Sequence, residues 1–140
     1  EPPFTHLLRY YHAKIKISSL WTSLMFLYIY ADYFQLMTPG KLEKMIQLNT
    51  PVGDTSPELL LIFSTILIIP ALMIFLSIFL RPNLNKWFNI VIPGIYACMS
   101  LLIIATSLGS KWYSFYVLFN IIEVIIFALI IVQAVKWPKA

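Results

Sequence analysis

The chain has 140 residues, 60% of them hydrophobic and 11% charged, with a formal net charge of +4 and a mean hydropathy of +0.82. A soluble domain has roughly a quarter of its residues charged, so water is not the main solvent here, and the length favours one membrane domain over residues 1–140. The positive balance does not point to nucleic acid, because the basic residues sit beside apolar blocks and not on one polar face, and the single Cys98 excludes an intramolecular disulfide or a CxxC redox pair.

Residues 1–16 mix Leu7, Leu8, Tyr10 and Tyr11 with His6, Arg9, His12, Lys14 and Lys16, a basic juxtamembrane composition suited to an anionic leaflet. The first apolar block, about Ile17 to Met37, has the ~20-residue length that spans ~30 Å of hydrocarbon and lacks a small-x-small exit, so a retained helix is expected, not a cleaved signal. The loop over 38–56 opens with Thr38 as a cap and Pro39 at the first helical position, which predicts a short helix in the outer interface, with an irregular loop as the alternative. A turn through Pro51-Val52-Gly53-Asp54 follows.

Ser56-Pro57-Glu58 reads as a cap, an N1 proline and a dipole-favourable acid opening the second span, about Leu59 to Leu80. The third runs about Phe88 to Leu108 and the fourth about Tyr113 to Val135. Short connections make consecutive helices from the second to the fourth neighbours. Pro70 and Pro93 each remove a helical hydrogen bond inside a span, shaping the packing or opening a cavity. Cys98 is expected to pack beside Gly94 and Ala97.

The fold predicted is therefore all-α, an integral membrane four-helix bundle. Of the ten Lys and Arg, seven (Arg9, Lys14, Lys16, Arg81, Lys86, Lys136, Lys139) fall on the side of the chain ends and three (Lys41, Lys44, Lys111) on the other. The positive-inside rule then makes both termini cytoplasmic. Trp21, Trp87, Trp112 and Trp137 stand near span borders, as membrane-interface aromatics do.

Two ionisable side chains lie within the spans, Asp32 and Glu123, and a carboxyl in a bilayer costs several kcal/mol unless it is protonated, paired or hydrated. Trp21, Met25, Tyr28, Asp32 and Gln35 share one helical stripe, and Tyr116, Asn120, Glu123 and Phe127 share another. If these faces meet, Asp32, Glu123, Tyr28, Asn120, Tyr116 and Gln35 form one site for a proton, a cation or a small amphipathic ligand, in a transporter- or sensor-like protein. No Lys, Arg or His is expected at that depth. The competing reading is a structural or accessory subunit, with Glu123 a neutral acid joining two helices and Asp32 bonded to backbone or outer water.

Catalysis is disfavoured: no His lies in a span, no cluster has metal-ligand spacing, and serines 18, 19, 64, 77 and 100 lack a nearby base. No cofactor or metal is expected. The partners expected are the lipid bilayer and either copies of the chain or another membrane protein, not nucleic acid.

Ser19-Leu20-Trp21, Tyr28-Ile29-Tyr30-Ala31-Asp32, Leu36-Met37-Thr38-Pro39-Gly40, Asn85-Lys86-Trp87-Phe88-Asn89-Ile90 and Ile122-Glu123 carry a resemblance. With them the chain resembles a family of small bacterial four-span membrane proteins catalogued as a domain of unknown function, over nearly everything after Ile17. The resemblance implies a multi-pass bacterial inner-membrane protein, implies no activity, and adds weight to Asp32 and Glu123 as a pair. An acid often precedes the second-span proline in that family; here Ile69 does, so a three-carboxyl site is not expected.

Overall fold

A computed structural model describes residues 3–137; Glu1 and the tail residue Lys139 lie outside the described residues. The fold is all-α, with one two-stranded ribbon. In chain order it comprises α1 (Pro3–Gln35), α2 (Lys41–Ile46), the hairpin β1 (Asn49–Thr50) and β2 (Gly53–Asp54), α3 (Pro57–Phe79), α4 (Pro82–Ser107) and α5 (Ser114–Val135). Helices α3, α4 and α5 are long and apolar enough to cross a membrane. Helices stand where the second, third and fourth spans are expected, α4 beginning earlier at Pro82 because proline suits the first helical turn.

α1 is the longest helix, at 33 residues, yet it is not among those three. Ser18, Ser19, Trp21, Thr22, Tyr28, Tyr30, Asp32 and Tyr33 dilute its Leu and Ile content. The basic stretch before Ile17 continues α1 without a break: Ala13 is buried, and the Tyr10 ring meets Trp137 edge-on with centroids 5.4 Å apart. That contact brings the start of α1 to the end of α5.

Each long helix buries one narrow stripe, spaced by threes and fours. On α1 it is Ala13, Ile17, Trp21, Leu24, the half-buried Tyr28 and Ala31; on α4, Asn85, Asn89, Pro93, Tyr96 and Ser100; on α5, Asn120, Glu123, Phe127, Ile130 and Ala134. The remaining faces expose Leu, Ile and Phe, the pattern a lipid-facing surface needs. α1 packs against both α3 and α5, and α5 against α4.

α3 and α4 touch only sparsely, contrary to the neighbours expected from their short connection. They are held at the turn, where Asn85 Nδ2 donates to the Ser77 carbonyl at 2.6 Å, and spread apart beyond it. Lys14 Nζ donates to the Ile78 carbonyl at 2.9 Å, so side chains of α4 and α1 occupy two of the carbonyls that the last turn of α3 leaves free.

Other local expectations divide. Ser56 does cap α3, accepting from the Leu59 amide at 3.1 Å, with Pro57 at N1. Thr38 does not cap α2: its hydroxyl donates to Gln35 O at 2.7 Å, and Gly40 stands at the cap with φ +76°, a conformation suited to glycine. Trp87 and Trp112 are exposed near helix ends as interface aromatics would be, whereas Trp21 and Trp137 are buried, because each faces another helix. Cys98 is exposed and Gly94 has open space where a Cβ would stand, so neither forms the close helix contact expected of them.

Candidate functional site

The separation of α3 from α4 leaves a cavity of about 760 Å³ toward the α2 end of the molecule. α1 contributes Tyr28, Asp32 and Gln35, and α5 contributes Tyr116, Asn120 and Glu123. All six residues singled out in the sequence therefore line one space. The α5 stripe buries Glu123 and Asn120 to 2% exposure each, while Asp32 is exposed at the cavity's edge and Tyr28, Tyr116 and Gln35 are half-buried.

Three lining groups were not foreseen. Tyr96 and Ser100 arrive from α4, one and two turns along the buried stripe from Pro93. Lys41 arrives from α2, because the 38–56 segment folds back over the cavity, so a cation that the sequence places outside the spans shares the lining with the carboxyls. Met45, Leu48 and Val52 of the same segment line the cavity too, while Leu60, Phe63 and Leu67 of α3 and Met99 and Ile103 of α4 give it apolar walls.

Tyr96 is placed by a backbone irregularity. Pro70 has no N–H to give the Ile66 carbonyl, and the Tyr96 hydroxyl donates to that carbonyl at 2.6 Å, one of the few ties across the α3–α4 gap. Asn120 donates to its own helix, Nδ2 to Tyr116 O at 2.8 Å. The Tyr28 phenol lies within electrostatic reach of Glu123, Asp32, Tyr96 and Tyr116, and Ser100 adjoins Glu123.

A second polar cluster, unforeseen as such, lies toward the chain ends and is closed. Trp21 Nε1 donates to Asn89 Oδ1 at 2.7 Å, Asn89 Nδ2 donates to Asn85 Oδ1 at 2.7 Å, and Ser77 Oγ lies 3.4 Å from Asn89 Oδ1. All four residues are fully buried. With its groups fully buried and paired among themselves, this cluster holds helices together, and the open cavity is the candidate for binding.

The match to a family model covers residues 8–140, nearly the whole chain. The chain belongs to DUF6326, a family of unknown function. No curated protein and no solved structure matches it. Membership in DUF6326 agrees with the resemblance drawn from the Tyr-Ala-Asp and Leu-Met-x-Pro-Gly segments, the first of which supplies Asp32 to the cavity. Among the described residues no group of three His, Cys, Asp or Glu is placed to hold a metal ion.

Proposed function

We propose that this protein crosses the bacterial inner membrane four times, with both ends cytoplasmic, and that its cavity binds a small amphipathic molecule in a transporter- or sensor-like role. The observation that carries the ligand reading is the cavity itself: about 760 Å³, apolar along α3 and α4, with Asp32, Glu123, Asn120, Tyr28 and Tyr116 gathered on its α1 and α5 side. Ligand sites are typically mostly apolar spaces of this order of size with a few convergent polar groups. A subunit whose polar residues only join helices would use them up in contacts, as the Asn85–Asn89–Trp21 cluster does.

α1 serves as the fourth span despite its composition, because the polar groups of its middle, Ser18, Ser19, Trp21 and Thr22, are bonded to neighbouring helices or to the helix itself, while the exposed Tyr30 and Tyr33 lie toward its outer end, where interface aromatics are tolerated. Ser18 Oγ donates to Ile74 O at 2.7 Å, Ser19 to Ile15 O at 2.8 Å, Thr22 to Ser18 O at 2.9 Å, and Trp21 to Asn89. A helix with its polar groups bonded in this way tolerates hydrocarbon better than its mean hydropathy implies. At 1.5 Å per residue α1 is about 50 Å long, enough to cross ~30 Å and extend beyond it on the basic side. A C-terminal green fluorescent reporter is expected to fluoresce and a C-terminal alkaline phosphatase to stay inactive in bacterial cells. The reverse pair of results would overturn the orientation.

Access to the cavity is tested by labelling membranes with a permeant carbodiimide, which reacts with protonated carboxyls in apolar surroundings, and mapping the sites by mass spectrometry across a pH series. Glu123 is expected to be modified, and Ser100→Trp, which fills the space beside it, is expected to remove most of that modification. Exposed Glu43 and Glu58, protonated at the acid end of the series, show in the same digest that the reagent acts. Glu123 left unmodified at every pH would mean that small molecules do not reach it, and the ligand-site reading would fall.

A further inference from the structure

We infer that the cavity selects lipophilic organic cations, such as alkylammonium amphiphiles, holding the positive end between Glu123, Asp32 and the rings of Tyr28, Tyr96 and Tyr116. The inference rests on the ligand-site reading above and adds the sign and chemistry of the ligand's head.

The lining groups set that sign. Two carboxyls, Asp32 and Glu123, and one ammonium, Lys41, face the same space. Lys41 comes from α2, in the segment folded over the cavity, whereas Glu123 sits on α5 among Asn120, Ser100 and the tyrosines. The buried Asn120 side chain, its Nδ2 tied to Tyr116 O, adds a further acceptor oxygen to the lining. An anionic head would meet two carboxyls for one ammonium. A cationic head instead supplies the counter-charge without which an ionised Glu123 would be costly to bury, so its binding and the ionisation of Glu123 favour one another.

The walls set the rest. Three tyrosines from three helices, Tyr28 of α1, Tyr96 of α4 and Tyr116 of α5, line the cavity, and Tyr28 lies within electrostatic reach of the other two and of both carboxyls. Aromatic faces around a carboxylate suit a bulky, weakly hydrated ammonium. A bare metal ion is a poor fit, since no three-ligand group is available among the described residues and the space far exceeds an ion. The apolar surfaces of Leu60, Phe63 and Leu67 on α3 and Met99 and Ile103 on α4 would run along an alkyl chain.

The test uses the full chain in phosphatidylcholine nanodiscs, with decyltrimethylammonium, decyldimethylamine oxide at pH 8 and decyl sulfonate as the cationic, neutral and anionic probes. Equilibrium dialysis reads binding above protein-free nanodiscs. The cation is expected to bind about tenfold tighter than either other probe, the order of effect that a desolvated cation–aromatic contact supplies. Glu123→Gln should abolish the preference, Tyr28→Leu should reduce it several-fold, and Tyr28→Phe, which keeps the ring, should retain most of it. Asp32→Asn gives an independent reading should Glu123→Gln not fold. Equal binding of all three probes, lost in Ser100→Trp, would leave a ligand cavity standing and overturn the cation inference. Binding of none, or binding unaffected by Ser100→Trp, would overturn both.

Discussion

Replacing Asn89 with alanine lowers the unfolding free energy by about 2–6 kcal/mol, because two fully buried partners, Trp21 Nε1 and Asn85 Oδ1, lose their hydrogen bond at roughly 1–3 kcal/mol each. Hydrocarbon offers these groups no water. The loss falls where three helices meet: Trp21 belongs to α1, Ser77 to α3, and Asn85 and Asn89 to α4. Asn85 in turn caps α3 through the Ser77 carbonyl, so disorder at Asn89 spreads to the one end where α3 and α4 are joined. Unfolding by steric trapping in bicelles provides the measurement. In a Trp21→Phe background, whose ring keeps most of the packing and has no N–H, Asn89→Ala should cost less than it does in the wild type, since one of the two stranded groups is already gone. Equal costs in both backgrounds would show that the Trp21–Asn89 bond contributes nothing to stability.

This cluster also marks what the sequence displays and what it conceals. Asn85, Asn89, Tyr96 and Ser100 recur on one face of α4, a polar periodicity as regular as the one that carries Asn120 and Glu123 on α5. A reading centred on ionisable residues passes over it, because uncharged amides and hydroxyls are ordinary in membrane helices. Trp21 carries the same ambiguity: position near a span border suggests an interface aromatic, and only the facing Asn89 makes it a buried donor. The α5 stripe was legible because its carboxyl cannot face lipid without cost, and Asp32 for the same reason.

Tertiary arrangement was harder to read. A short connection between two spans implies that they leave the turn together, yet says nothing of whether they stay together, and α3 and α4 do not. Their separation creates the cavity, and α1, lying against α3 and α5, takes up the packing that α4 would otherwise give α3. Lys41 was missed for a related reason: hydropathy assigns a loop residue to the outside, while the fold of 38–56 over the cavity brings it inside. α1 shows the opposite limit, since its composition alone stops short of a span and only its hydrogen-bond partners explain how such a helix could be one.

Tyr96 and Pro70 together give the sharpest test of how the cavity is built. Tyr96→Phe removes the hydroxyl that serves the Ile66 carbonyl, and Pro70 leaves that carbonyl without its helical donor, so the substitution is expected to cost about 1–3 kcal/mol. Pro70→Ala returns an N–H at the position four residues after Ile66, allowing the helix to satisfy the carbonyl itself. In that background Tyr96→Phe should cost less than about 0.5 kcal/mol, and the two changes should couple by most of the difference. The phenol set free in Pro70→Ala no longer needs to reach α3, so its ring is less firmly held in the cavity wall. Steric trapping of the four proteins measures the cycle, and the cation probe measures its consequence: Pro70→Ala should weaken decyltrimethylammonium binding without removing a cavity-lining side chain. Additive stabilities would show that Tyr96 and the proline are unconnected, and Tyr96 would then owe its place in the cavity to packing alone. Coupling would instead mean that a helix-breaking residue in one span fixes an aromatic wall supplied by another, a dependence that neither the proline nor the tyrosine reveals when read along the chain.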